Sequence, residues 1–295
     1  MTAPSLVGSS LGNWRLDELI GEGRSGTVYK AHETAAPFRT AAVKVRQGLA
    51  VKASHGEFVR EADMLERQPI PGFMPALFDR GTSSDPDWYA MEFADSLPRK
   101  LPRKSVPVIF GRLAEALSRL HAAGYLHCDV KREHIGRIRG KAVLLDFGSV
   151  LSADAAARHP LRTGTWQYMA PEVREGRLLD ARADIYSLGI VLSEVCRGQG
   201  NSIYEHLVLR TTANDPNARL QSADEFRRLL LVSEDAFRKT AAAKRIGWAI
   251  AATIAIFSTV ALTHYVCLRA SVGRKFSTTI LTNVQDRVLH ELQRR

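Results

Sequence analysis

Cysteine is nearly absent: Cys128, Cys196 and Cys267 are the only three in 295 residues, and they are odd in number and scattered. That excludes a disulfide framework and leaves no pair at metal-ligand spacing, so the chain fits a reducing cytosol. A nucleic-acid-binding motif is lacking too, and the formal net charge of +10 is spread along the sequence rather than gathered. No nucleic-acid partner is therefore expected. Residues Met1–Asn13 have no basic start followed by an apolar run, so no signal peptide is expected. Apolar residues, by contrast, make up 45% of the chain, enough for one core-bearing domain with an appendage.

Five short strings stand out, in this order: Gly21-Glu22-Gly23-Arg24-Ser25-Gly26-Thr27-Val28, Ala42-Val43-Lys44, His127-Cys128-Asp129-Val130-Lys131, Asp146-Phe147-Gly148 and Ala170-Pro171-Glu172. Glycines without a Cβ let a backbone hairpin come close to a bulky anion. Alone, such a pattern also marks dinucleotide-binding units. The lysines and carboxylates of the other strings add the charges that hold phosphates and a hard cation. Between them, Phe58, Ala62 and Leu65 recur at helical spacing, which lets Glu61 point toward Lys44 and leaves Asp63 and Glu66 on a solvated face. The run Trp88-Tyr89-Ala90-Met91-Glu92-Phe93 is short and aromatic, as a strand is.

In that order and at those intervals the strings resemble the protein kinases, and among them the bacterial eukaryotic-like (Hanks-type) serine/threonine kinases. The resemblance covers roughly residues 12–231. It implies an α+β, two-lobed kinase-like fold, with a small antiparallel-sheet lobe over 12–93 and a mainly helical lobe over 94–231. It also implies ATP as phosphoryl donor, with Mg²⁺ or Mn²⁺. Gly21, Glu22, Gly23, Gly26, Val28 and Ala42 would then line the nucleotide site, with Lys44 on its phosphates and Glu61 paired to that lysine. By the same resemblance Met91 gates the adenine pocket and the Glu92-Phe93 backbone forms the hinge.

For the larger lobe, the resemblance makes Asp129 the carboxylate that accepts the substrate hydroxyl's proton and Lys131 the γ-phosphate lysine of Ser/Thr kinases, with Thr165 in support. Asp146 would hold Mg²⁺. His127 and Phe147 would join Leu65 and Leu77 in an internal apolar column. Asp184 would anchor the catalytic loop, and Arg219 would pair with Glu172.

The departures from the family pattern carry expectations of their own. His134 stands where the family has an asparagine for a second metal ion, and imidazole suits a hard ion less well than a carboxamide. One-metal catalysis, a preference for Mn²⁺ and slow transfer all stay open. Cys128 replaces the arginine on which a phosphorylated activation segment docks, so activation by loop phosphorylation is not expected. Ser149, Ser152, Thr163 and Thr165 leave autophosphorylation open. Gly136 replaces a leucine under the adenine, which implies lost apolar contact and weak ATP binding. The stretch between Arg197 and Asp215 is too short for the helix on which many relatives dock substrates, so no substrate is readable. The basic repeat Leu97-Pro98-Arg99-Lys100-Leu101-Pro102-Arg103-Lys104 is either a solvated loop or a recruiter of acidic substrates or lipid head groups.

The appendage has its own signature. Residues 246–268 contain no Asp, Glu, Lys or Arg, and 23 residues at about 1.5 Å each would span the roughly 30 Å core of a bilayer. Trp248 and Tyr265 lie near the two ends, and Lys244-Arg245 and Arg269 bracket them. A transmembrane helix is predicted there, with 1–11 a disordered start, 232–245 a basic juxtamembrane linker and 269–295 a short tail. Leu281, Val284, Val288 and Leu292 recur at helical spacing in that tail. Since ATP is cytosolic, the expected placement is single-pass in the cell (inner) membrane, kinase domain in the cytoplasm and tail on the far side. Gly247, Ala251 and Ala255 share one helix face and would permit self-association.

The sequence thus predicts a membrane-anchored serine/threonine kinase acting on proteins. The competing expectation is a pseudokinase, a nucleotide-responsive membrane scaffold, favoured by His134, Cys128 and Gly136 and opposed by Lys44, Asp129, Lys131 and Asp146.

Overall fold

The protein is described by a computed structural model covering residues 5–35, 39–46, 52–81, 87–98, 100–158, 164–197 and 202–240, with further helical positions between 242 and 263. It divides into two compact units, Met1–Glu234 and Asp235–Arg295.

The first unit starts with strands β1 (Ser10–Leu11), β2 (Trp14–Gly23), β3 (Gly26–Glu33) and β4 (Thr40–Val45), then helix α1 (Lys52–Arg67) and strands β5 (Leu77–Gly81) and β6 (Trp88–Glu92). These strands form one antiparallel sheet in the order β1-β2-β3-β4-β6-β5. Period-two burial is clear on β3, where Thr27, Tyr29 and Ala31 turn inward. On β4 every residue after Thr40 is buried, because the strand lies between β3 and β6 with both faces covered. Trp14, Leu16, Tyr29 and Val43 make the core on one side of the sheet. The α1 residues Phe58, Ala62 and Leu65 are buried at the expected spacing. Residues 10–11, expected within a disordered start, instead fold back on Trp14-Arg15 through the Gly12-Asn13 turn. Backbone hydrogen bonds Gly8 N–H to Leu16 O and Leu16 N–H to Ser9 O hold them there.

The rest of the unit is mainly helical. It contains β7 (Asp95–Ser96), α2 (Val106–Ala122), β8 (Tyr125–Leu126), β9 (Ile135–Ile138), β10 (Lys141–Leu144), β11 (Leu151–Ser152), α3 (Ala153–Ala156), α4 (Pro171–Arg174), α5 (Ala181–Cys196) and α6 (Glu205–Thr211). A last helix, α7, begins at 223. α2 buries one stripe, Val106, Phe110, Leu113, Leu117 and Leu120, whereas α5 is buried nearly all round and forms the centre of this lobe. The fold class is therefore the two-lobed α+β arrangement read from the motifs. Among the described residues between α5 and α6 there is only the short turn Ser202–Tyr204, in keeping with the missing docking helix.

In the second unit the described positions from 235 to 263 are helical, including the described ones of the expected 232–245 linker. Among the described residues no helix is long and apolar enough to cross a membrane. Eleven positions of the 246–268 stretch, and all of the 269–295 tail, lie outside the described residues. Loop residues Arg99, Thr163 and 198–201 lie outside them as well.

Candidate active site

Between the sheet and the helical region lies a cavity of about 910 Å³, lined by the β2–β3 hairpin, β4, α1 and the loops that follow β8 and β10. Gly21, Glu22, Gly23, Gly26, Val28 and Ala42 all line it, as the motif order predicts. The hairpin turns directly between paired Gly23 and Gly26. Gly26 is the position where glycine is required: its φ is +150° and a Cβ would lie 2.7 Å from the Val45 carbonyl oxygen.

Lys44 points into the cavity from β4, with its side chain only 6% exposed. Its Nζ donates to Glu61 Oε2 at 2.5 Å and stands 4.0 Å from Asp146 Oδ1. Burial opposes the ammonium's charge, but Glu61 and Asp146 outweigh it and raise the Lys44 pKa above its ordinary value. Asp63 and Glu66 turn instead to Arg80, at 2.9 and 3.6 Å. Met91 and Phe93 line the cavity. The Glu92 side chain does not. It faces Arg139, at 3.2 Å.

The loop after β8 is held by a buried carboxylate on α5. Asp184 accepts backbone N–H bonds from His127 and Cys128, each at 2.8 Å, and lies 2.9 Å from His121 Nε2. Two main-chain anchors on one carboxylate hold Cys128 at φ +66°, a left-handed conformation costly for a residue with a Cβ. Burial opposes the Asp184 charge, yet His121 and the amides keep its pKa below the ordinary value. The tight loop presents Asp129, whose Oδ2 accepts from Lys131 Nζ at 3.0 Å and whose Oδ1 accepts from Thr165 N–H at 3.0 Å. Lys131 Nζ also donates to Thr165 Oγ1 at 2.8 Å, closing a triangle of three residues. Against the burial of Asp129, His134 and Lys131 lower its pKa, so it is ionised at neutral pH.

Asp146 also has a left-handed backbone, φ +56°, and its carboxylate accepts from Gly148 N–H at 3.3 Å. Burial raises its pKa, but Lys44 and His134 dominate and hold it well below the carboxylate range. His127 and Phe147 are fully buried, with ring centroids 5.3 Å apart. Leu65 shares the large apolar cluster with Phe147, and the partly buried Leu77 packs against that cluster. Arg219 meets Glu172 through two hydrogen bonds of 2.8 and 3.1 Å.

His134, a doubtful metal ligand by the resemblance, has both ring nitrogens close to oxygen atoms. Its Nδ1 lies 2.9 Å from the Asp129 carbonyl oxygen, and its Nε2 lies 3.2 Å from Asp146 Oδ2. It links the Asp129 and Asp146 segments. Gly136, where lost apolar contact with the base is expected, is buried and does not line the cavity.

Two features went unread in the sequence. Arg24, at the hairpin tip, pairs with Glu57 of α1 through two hydrogen bonds, one of them Nε to Oε2 at 3.2 Å. Glu57 precedes Glu61 by one helical turn, and that spacing was the available signal. Arg60 Nη1 donates to the Gly148 carbonyl at 2.7 Å, linking α1 to the Asp146 loop. Nothing local to Arg60 indicates a partner 88 residues away. Among the described residues no three His, Cys, Asp or Glu gather to hold an ion unaided. Asp146 remains a fitting single carboxylate for a hard cation whose other ligands are phosphate oxygens and water.

A family model described as "Protein kinase domain" matches residues 14–207. Serine/threonine-protein kinase Pkn1 of Myxococcus xanthus is 28% identical over 276 residues, covering 77% of this chain and 39% of Pkn1. Serine/threonine-protein kinase PknH of Mycobacterium tuberculosis is 33% identical over 208 residues, covering 66% of this chain and 33% of PknH. The chain thus spans about two fifths or less of the length of these two relatives. Among solved structures, the kinase domain of M. tuberculosis PknI superposes with a TM-score of 0.58 at 22% identity, covering 79% of this chain and 100% of that one. At that identity the likeness speaks for the fold.

Proposed function

The chain belongs to the protein kinase domain family, and from that premise we propose that it transfers the γ-phosphoryl group of ATP to serine or threonine hydroxyls of proteins. The observation that carries the proposal is convergence on one cavity. Lys44 with Glu61, Asp129 with Lys131 and Thr165, and Asp146 come from five separate chain segments and all reach it. Phosphoryl transfer needs positioning and charge neutralisation more than covalent chemistry, and these groups supply both.

In this reading the substrate hydroxyl oxygen attacks the γ-phosphorus as the bond to the β–γ bridging oxygen breaks, and ADP leaves. Asp129, ionised and held by Lys131 and Thr165, orients the hydroxyl and takes its proton. Lys131 moves no proton; its charge offsets that of the transferring group. Lys44, fixed by Glu61, holds the non-transferring phosphates. Divalent metals serve this family, and Mg²⁺ held by Asp146 would supply further charge neutralisation on the phosphate oxygens.

His134 refines the metal proposal. It joins the Asp129 carbonyl and Asp146 Oδ2, and in this reading a single Mg²⁺ held by Asp146 would supply the charge neutralisation. The His134→Asn variant is expected to release Asp146 Oδ2, add a carboxamide oxygen and bind Mg²⁺ about tenfold more tightly. Transfer rates titrated with each metal check this, with a smaller gain expected in Mn²⁺. Equal gains in the two metals would remove the metal from the account of this residue.

The proposal also anchors the chain in the cell (inner) membrane through 246–268, with the kinase domain in the cytoplasm. Support comes from the absence of charge in that stretch and from the exposure of Ile246, Trp248, Ile250, Ile254, Ile256 and Val260, which calls for an apolar environment. One experiment addresses both parts: membranes carrying the full chain are washed with alkaline carbonate and supplied with γ-labelled ATP and a generic basic protein. Label on serine or threonine in the sedimented fraction is the expected result. Labelling by protein found only in the wash would overturn the anchor. No labelling in Mg²⁺ or Mn²⁺ by folded protein would overturn the kinase and favour the scaffold reading, to which the engaged His134 lends its weight.

A further inference from the structure

The cavity has two chemically different ends. Lys44, Asp129 and Asp146 make one of them charged, while Val28, Ala42, Met91, Phe93 and Leu145 make the other apolar. A nucleoside triphosphate is divided in the same way, into an anionic chain and a flat base, so the apolar end suits the base. Of those apolar residues, Val28, Ala42, Met91 and Phe93 lie on or directly after sheet strands. Leu145 and Ile135 come from the helical lobe; Ile135 is 1% exposed and belongs to the large core cluster, whereas Leu145 is half-buried.

Gly136, on β9, lies just behind Leu145. A Cβ built on Gly136 would stand 2.9 Å from Leu145 Cδ1, 2.8 Å from Ala94 Cβ and 3.4 Å from the Asp95 carbonyl oxygen. Contacts under 3 Å between such atoms are overlaps, so no larger residue fits at 136 while Leu145 keeps its place. Leu145 is held there by its backbone: its N–H donates to the His134 carbonyl at 2.9 Å, and its carbonyl accepts from His127 Nε2 at 3.2 Å. Its side chain is half-buried and belongs to none of the core clusters, so the cavity is its main surrounding.

We propose that Leu145 is the helical-lobe floor of the base site, and that Gly136 is glycine because Leu145 occupies its side-chain space. The two positions form an exchanged pair, apolar volume having moved from 136 to 145. The inference rests on the reading of the cavity as an ATP site. It replaces the expectation of weak base binding drawn from Gly136 alone with apolar contact from another residue.

The test measures displacement of a fluorescent ATP analogue from the full chain by ATP, adenosine and inorganic tripolyphosphate. Leu145→Ala is expected to weaken ATP and adenosine about tenfold, as loss of a leucine's apolar contact does, and to leave tripolyphosphate unchanged. Gly136→Leu alone is expected to weaken the base-bearing ligands through overlap with Leu145. The double variant Gly136→Leu with Leu145→Ala is expected to return most of the loss, since one leucine then fills the shared volume. Adenosine binding to Leu145→Ala at wild-type strength would overturn the floor, with the kinase reading untouched. An equal loss of tripolyphosphate would overturn it too, because a general disturbance of the cleft would then be at work. A double variant no better than Leu145→Ala would overturn the exchange. Wild-type protein that binds neither ATP nor tripolyphosphate would overturn the kinase reading itself.

Discussion

Asp146→Asn is expected to lower kcat/KM for phosphoryl transfer about a thousandfold while leaving the fold intact, because it removes the anion that would hold the Mg²⁺ offsetting the phosphate charge. The amide keeps the carboxylate's shape and its acceptor for Gly148 N–H, so the loop has no reason to collapse. What disappears is the anion that Lys44 faces at 4.0 Å and His134 at 3.2 Å, and with it the carboxylate that would hold a metal ion. The Asp146 side chain is about one third exposed, so the change leaves no deeply buried charge unpaired. Steady-state rates with γ-labelled ATP, read beside thermal melting, make the measurement. A variant with wild-type melting and near wild-type transfer would remove Asp146 from the mechanism. Lys44→Met is the weaker choice of the two, because it strands Glu61, which is 1% exposed, without its cation.

Arg219→Met is expected to have the largest effect on stability. The Arg219 side chain is fully buried and Glu172 nearly so, and the arginine also donates to the Ala213 and Arg182 carbonyls. Removing one partner of such a pair costs about 3–5 kcal/mol, since the remaining charge stays out of water without compensation. For a unit of this size that lowers the unfolding midpoint by roughly 10 °C or more. Glu172→Leu combined with Arg219→Met is expected to recover a good part of the loss, because the stranded charge is then gone. Scanning calorimetry on the wild type, the single and the double variant checks both statements. A single variant melting within about 2 °C of wild type would show that the pair is not a structural anchor.

These effects differ in how far they could be read beforehand. The Arg219–Glu172 pair and the Lys44–Glu61 pair were legible because each partner sits in a recognisable string, and a buried charge must find its opposite. The hairpin at Gly21–Gly26 was legible for a local reason: the Cβ-free backbone is what the close approach to Val45 requires. The surroundings of His134 and Gly136 were not legible in this way. Each was judged by what usually stands at that point in the strings, and each takes its meaning from neighbours that the string does not contain. Arg24 with Glu57 and Arg60 with Gly148 were not read at all, for the same reason. The early strand at 10–11 was missed because a two-residue turn outweighed the polar composition around it.

The sequence by itself determined the chemical groups at the site and their order along the chain. It also determined the periodicities that make β3 a strand and α1 and α2 helices, because covalent geometry and side-chain spacing act within a few residues. Tertiary structure alone decided that His134 bridges Asp129 and Asp146, that Leu145 takes the volume beside Gly136, and that Cys128 keeps a left-handed backbone under Asp184. Those outcomes depend on atoms brought within a few ångströms from distant parts of the chain. At that range, close packing and the pairing of buried polar groups choose among arrangements that the local sequence leaves equally open.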